Sequence, residues 1–176
     1  MMERKAVVRA MRLEDMATVL DIQSCCYDAT KRESRQSFLA KLEASPTTCF
    51  MGLVAEAPVG YLVAVPAEVG SPPPLNSPGY PVPPAANALY LHDLAVRPAA
   101  RGAGAAVALI EAYFRAVQRS GVRFACLTAV NDSRPFWERY GFQPAASIDS
   151  CPGAMATYGG NAQYMTLRVQ QVKRDG

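Results

Sequence analysis

Arg101, Gly102 and Gly104, in the stretch VRPAARGAGAA, lie between an apolar strand-like run and a long helix-like run. Glycine accepts positive φ and lets another group come close to the backbone. A glycine turn that opens a helix leaves backbone N–H groups unpaired, and such a terminus readily holds phosphate. His92, the one histidine of the chain, lies in the strand-like run just before the turn. Imidazole is the side chain that exchanges a proton near neutral pH. The cysteines are Cys25, Cys26, Cys49, Cys126 and Cys151, an odd set with no C-x-x-C pair. With a single histidine beside them no zinc or other metal site is expected. They read as reduced thiols of an intracellular protein.

The elements that must position these residues follow from periodicity. KAVVRAM reads as a first strand. LEDMATVLDIQSCCYD places Met16, Val19, Leu20 and Gln23 at helical spacing, and RESRQSFLAKLEAS carries a stripe of Phe38, Leu39 and Leu42. TCFMGLVAE and PVGYLVAVP read as a hairpin. A proline-rich segment, 66–87, then breaks both helix and strand. A loop this long inside a domain is either a disordered insertion or a functional wall or lid. ALYLHDLAV is the next strand, and the glycine turn leads into a helix with Val107, Ile110, Phe114 and Val117 on one stripe. Gly121 stands where a C-capping glycine belongs. VRFACLTAV reads as a buried strand, NDSRPFWERYG as a short helix, and FQPAASI and AQYMTLRVQ as closing strands.

A strand–turn–helix–strand unit implies parallel strands, whereas the hairpin is antiparallel. The expected fold class is therefore α+β: a central mixed, mostly antiparallel sheet of about six to seven strands flanked by about four helices. With 176 residues, 50% hydrophobic and 19% charged, the chain fits one domain spanning residues 1–176. The net charge of +3 is mild and the basic residues are scattered, so no nucleic-acid partner is expected. The first residues lack the apolar core of a signal peptide, and no run approaches the ~20 apolar residues of a membrane span. The expected location is cytoplasmic, with no membrane partner. Exposed strand ends would allow two copies to pair as a homodimer.

Three kinds of glycine turn compete for the phosphate-like site. The P-loop needs a Gly-Lys-Ser/Thr ending that is absent here. The dinucleotide fingerprint needs a third glycine where Val107 stands. The third option covers nearly the whole chain. LAVRPAARGAGAAVALI followed by NDSRPFWERYGF resembles the GNAT superfamily of N-acetyltransferases, through Val96, Pro98, Arg101, Gly102, Gly104, Asn131, Gly141 and Phe142. Ala99 departs from the Gln or Arg that members often carry.

The resemblance implies a GNAT-like fold and acetyl-CoA as co-substrate. It places the pyrophosphate on backbone amides of Arg101, Gly102, Ala103, Gly104, Ala105 and Ala106, and the pantetheine arm along Leu94, Ala95 and Val96. Asn131 and Trp137 join the cofactor set, and the Leu94 N–H faces the acetyl carbonyl. The strand LYLHDLAVRP is similar to that of arylalkylamine N-acetyltransferases, which carry histidine at the positions of Tyr90 and His92. His92 is thus the candidate base or water-relay residue, the alternative being a core or pocket-shaping histidine. Alternation places Tyr90, His92, Leu94 and Val96 on one face and turns Asp93 to the other. The tyrosine that members use as general acid is replaced by Trp137, whose indole is no proton source. Either Tyr140 or Tyr90 substitutes, or water does, or no acid is needed; Tyr140 reads more readily as a core aromatic of the short helix.

The implied reaction is direct transfer of an acetyl group to the primary amine of a small molecule within a ternary complex. Tyr27, Tyr61 and Tyr158 are acceptor-site candidates that ordinary packing explains equally well. A protein or peptide acceptor is the alternative enzyme reading. A non-catalytic coenzyme A-binding module is the alternative outside catalysis.

Overall fold

The computed structural model describes residues 5–147 and 153–171. Seven strands build one sheet: β1 (Val7–Ala10), β2 (Cys49–Val54), β3 (Ala57–Ala67), β4 (Ala88–Val96), β5 (Phe124–Ala129), β6 (Gln143–Pro144) and β7 (Gln163–Arg168). Their order is β1-β2-β3-β4-β5-β7-β6, and only β4 and β5 run parallel. Four helices accompany them: α1 (Met16–Cys26), α2 (Arg35–Ala44), α3 (Ala105–Ser120) and α4 (Arg134–Glu138). The mixed, mostly antiparallel architecture expected from the sequence is the one observed.

Two boundaries and one helix face differ from the sequence reading. Strand β3 runs on through Pro66 and Ala67, so the connecting loop begins at Glu68. Strand β6 is only two residues long, and the end of FQPAASI, like Cys151, lies outside the described residues. The buried face of α3 is also rotated from the expected stripe. It is built from Leu109, Ile110, Ala112, Tyr113, Ala116 and Val117, while Val107 is 52% exposed.

Helix α3 covers one sheet face, packing with Phe50, Leu62, Leu89, Leu91, Leu127 and Trp137. Helices α1 and α2 cover the other face through Met16, Val19, Ile22, Phe38 and Leu42 against Met51, Tyr61 and Val63. A third cluster, with Val65, Tyr90, Cys126, Tyr158 and Tyr164, fills the space beside the loop 68–87. That loop packs as a wall. Its Val69 N–H donates to Asn87 Oδ1 (2.8 Å), Gly70 N–H to the Tyr164 hydroxyl (2.8 Å) and Leu75 N–H to Thr157 Oγ1 (2.9 Å).

Two irregularities of β4 shape everything downstream. The ladder between β4 and β5 covers only Ala88↔Phe124 to Leu91↔Leu127, after which the two strands part. On its other edge β4 carries a bulge: Val63 pairs with Asp93 but Ala64 pairs with Leu91, leaving His92 as the extra residue.

Candidate active site

The bulge changes which side chains share a face. Before it, Leu89 and Leu91 face α3 while Tyr90 faces away; after it, Leu94 and Val96 face α3 and Ala95 faces α1. Simple alternation would have put Tyr90 with Leu94 and Val96, and Asp93 opposite His92. The extra residue reverses the phase, so Asp93 meets Tyr61 on the side away from α3. His92 and Asp93, consecutive in sequence, therefore serve the same side of the sheet.

His92 is enclosed. Its side chain is 0% exposed, and Nε2 lies 2.7 Å from Glu33 Oε1. Glu33 Oε2 accepts from Ser37 Oγ (2.6 Å), Lys41 Nζ (3.0 Å) and the Asn76 N–H of the loop (3.0 Å). Burial alone would raise the Glu33 carboxyl. The charges and hydrogen bonds of His92, Lys41 and Ser37 outweigh it and hold the group well below the usual carboxylate range. An ionised carboxylate only accepts, so His92 carries its hydrogen on Nε2. Nδ1 then faces the Tyr158 hydroxyl at 3.4 Å. Tyr158 accepts from Tyr90 (3.1 Å) and donates to the Pro73 carbonyl. Tyr90 also meets Thr128 Oγ1 at 2.6 Å.

Asp93 is partly exposed, and its Oδ2 accepts from the Tyr61 hydroxyl at 2.7 Å. Desolvation, followed by the nearby negative charge of Glu33, raises its carboxyl to about 6. Desolvation likewise pushes the phenols of Tyr27, Tyr61 and Tyr158 upward, which keeps them protonated donors.

Where β4 and β5 part, a cavity of about 280 Å³ opens, lined by residues from both faces of the sheet. Leu91, Leu127 and Trp137 belong to the α3 side, whereas Tyr27, Asp93 and Tyr158 belong to the other. Leu75 contributes a wall from the loop. A second depression, lined by Leu94, Ala95, Val96, Arg101, Gly102, Gly104, Ala105 and Ala106, runs from the gap to the start of α3. Tyr27, Leu94 and Asn131 line both. Lys31 Nζ donates to Asn131 Oδ1 (2.9 Å), joining the α1–α2 connection to the β5–α4 turn.

The second depression suits an extended anionic ligand. Gly102 and Gly104 have φ of 87° and 82°, a conformation that favours glycine. Gly104 caps α3, so the first-turn N–H groups of that 16-residue helix are directed outward, where the helix dipole favours negative charge. Arg101 N–H and Ala103 N–H are instead engaged within the turn, by Pro98 O and Ala100 O (both 3.3 Å). Ala103 does not line the cleft, unlike its neighbours. Along β4, Arg97 N–H donates to Val59 O across β3 (2.8 Å). The Leu94 and Val96 carbonyls instead accept from the Tyr27 hydroxyl (2.9 Å) and Cys26 Sγ (3.2 Å). The backbone groups of Leu94 and Val96 thus face the gap rather than β3.

The remaining sequence candidates divide. Trp137 lines the cavity and packs edge-on against Phe136 and Phe142. Tyr140 lines neither depression and stacks on Phe114 at 6.2 Å, as a core aromatic would. Tyr61 is buried behind Asp93, and Tyr90 reaches the cavity only through Thr128 and Tyr158. Sequence reasoning missed Glu33, Lys41 and Asp93. The spacing of Glu33, Ser37 and Lys41, four residues apart along one helical side, was the available signal.

A sheet parted between two parallel strands, with a glycine-capped helix at the mouth of the gap, is the frame of an acyltransferase that uses a coenzyme A thioester. The chain belongs to the acetyltransferase (GNAT) family, whose model matches residues 16–142. Solved structures agree in fold. Ard1 from Thermoplasma volcanium has 18% identity and a TM-score of 0.70, over 94% of this chain and 99% of its own. The GNAT-like decarboxylase GphF, in complex with isobutyryl-CoA, has 18% identity and a TM-score of 0.71, over 93% and 100%. The ribosomal-protein-S18-alanine N-acetyltransferase from Escherichia coli has 14% identity and a TM-score of 0.68, over 97% of each chain. No curated protein sequence matches the chain.

Proposed function

We propose that the protein moves an acetyl group from acetyl-CoA to the primary amine of a small molecule, by direct transfer in a ternary complex. The observation that carries this reading is the cavity at the strand gap, open to residues of both sheet faces and continuous with the glycine turn through Leu94 and Asn131. The amides of Gly102, Gly104, Ala105 and Ala106 hold the pyrophosphate, with Arg101 alongside. Leu94, Ala95 and Val96 flank the pantetheine arm, and Trp137 and Asn131 border the thioester. The Leu94 N–H donates to the oxyanion that forms on attack.

A lysine-type amine has a pKa near ~10, so at neutral pH it is mostly protonated and its attack benefits from a proton acceptor. That acceptor comes from the bulge of β4, where His92 and Asp93 are the candidates. Tyr27 and Tyr158 shape the acceptor side, with Tyr61 behind them. Leu75 of the loop narrows the cavity on its acceptor side, which favours a small acceptor over a protein terminus.

The test is thiol release from acetyl-CoA across aromatic amines, polyamines, amino acids and short peptides, with wild type beside His92→Ala. Turnover on small amines, reduced in the variant, is the expected result. Turnover confined to peptides replaces the acceptor class, and failure to bind coenzyme A overturns the reading altogether.

A further inference from the structure

Resting on that reading, we infer that Asp93, and not His92, is the catalytic proton acceptor, and that the Glu33–His92 pair behind it is a positioning unit. Three observations converge. The bulge at His92 turns Asp93 onto the acceptor side of the sheet, immediately before Leu94, whose backbone groups face the gap. The base and the oxyanion donor are then consecutive residues of one strand. Second, among the described residues Asp93 is the only acidic residue that lines the cavity. A carboxylate offers about four acceptor positions. The hydroxyl of Tyr61 uses one at Oδ2. Third, the His92 ring is sealed, with Nε2 held by Glu33 and Nδ1 set against Tyr158.

The step balances without any further reactant. The amine nitrogen forms a bond to the thioester carbon, and the carbon–sulfur bond breaks. The amine attacks in its neutral form, its ammonium proton having gone to solvent; the proton that nitrogen then loses passes to the Asp93 carboxylate and is returned to the departing thiolate. The groups facing Asp93 are Tyr61 on β3, Tyr27 and Cys26 at the end of α1, Glu33 before α2 and His92 on its own strand, with Lys31 on the same cavity. Desolvation and Glu33 together raise the carboxyl to about 6. It is therefore a stronger base than an ordinary aspartate and remains ionised at neutral pH.

The experiment measures kcat/KM against pH for wild type, Asp93→Asn, His92→Gln and Glu33→Gln, with coenzyme A binding by calorimetry as the check that each variant folds. In wild type, kcat/KM falls as pH drops through about 6. Asp93→Asn, which keeps an oxygen for Tyr61, loses about 10²–10⁴-fold in kcat/KM and loses that acid limb, with coenzyme A affinity retained. His92→Gln is slower but keeps the limb. Glu33→Gln removes a negative charge that raises Asp93, so its limb moves to lower pH. An Asp93→Asn enzyme with nearly the full wild-type rate overturns the assignment, as does an acid limb that vanishes in His92→Gln and persists in Asp93→Asn. Wild type that binds coenzyme A yet acylates no amine overturns the transferase reading itself.

Discussion

Replacing Lys41 by Met isolates the energetics of the buried network. Lys41 and Glu33 are 0% and 1% exposed in their side chains, so neither charge has water to fall back on. Lys41 Nζ donates to Glu33 Oε2 (3.0 Å), Ser37 Oγ (2.7 Å) and Ser37 O (3.4 Å). Methionine preserves most of the volume and removes the charge. Breaking a buried pair by deleting one partner costs about 3–5 kcal/mol, because the other charge is left without its counterion. Glu33 keeps His92, Ser37 and the Asn76 N–H, so a loss of about 3 kcal/mol is expected, at the lower end of that range. A domain has only about 5–15 kcal/mol in total, so the loss is easily measured. The assay is urea unfolding at neutral pH, followed by circular dichroism, for wild type, Lys41→Met, Glu33→Gln and the double variant. The double variant should be less destabilised than the sum of the singles, with a coupling of about 1–3 kcal/mol. The pH dependence provides an independent check. Glu33 is held below its ordinary value, so its stabilising contribution is present above about 4.5 and is lost as pH falls below that. In Lys41→Met the folded-state carboxyl moves back toward its ordinary value, so this loss should be smaller and complete at higher pH. A Lys41→Met protein as stable as wild type, with additive singles, would refute the claim that the pair is energetically coupled.

Further outcomes follow from the cleft and its surroundings. Gly104→Val forces a branched side chain into φ 82° and projects it into open space at the cleft, where no atom lies within 4 Å of the added Cβ. It should cost about 1–2 kcal/mol in stability and, by obstructing the helix terminus, weaken coenzyme A binding about tenfold or more by calorimetry. Tyr140→Phe should leave turnover near wild type, because that ring stacks on Phe114 away from the cavity; a loss of about 100-fold in kcat would instead restore it as a general acid. Asp93 predicts a stability trend opposite to that of Glu33. Its raised carboxyl makes the folded protein bind a proton more readily than the unfolded chain, so this contribution declines as pH rises from about 4 to about 6 and is flat above. Comparing urea midpoints of wild type and Asp93→Asn across that range checks the sign.

The fold was legible because local signals agreed with one another. Alternating runs marked the strands, glycines marked both ends of α3, and the strand–turn–helix–strand order required a parallel pair. The glycine turn was legible for the same reason, since a helix terminus is written in a few consecutive residues. The surroundings of His92 were not. A bulge has no compositional mark in ALYLHDLAV, yet one extra residue there decides whether Asp93 meets the α3 core or Tyr61. Glu33 pairs with His92 across 59 positions of sequence, a contact set by how α2 docks and not by local pattern. The loop 68–87 looked structureless because its polar groups are satisfied by distant partners such as Thr157 and Tyr164. Phe38 and Leu42 correctly marked the buried side of α2, but Ser37 and Lys41 are buried with them, which an apolar stripe cannot show.

The short ladder between β4 and β5 has a mechanical consequence. Only the register from Ala88↔Phe124 to Leu91↔Leu127 ties the strands β1–β4 to the strands β5–β7 within the sheet. The molecule resembles a hinged pair of half-sheets fastened at one end, with α3 as the strap between them. A thioester arm inserted in the gap would act as a wedge that is also a clasp, binding the free edge of β4 while fixing the spacing of the halves. Rigidity at the reacting end would then be supplied in part by the co-substrate, and amide exchange of residues 92–96 would slow when coenzyme A is present, while that of the fastened end at 88–91 would barely change.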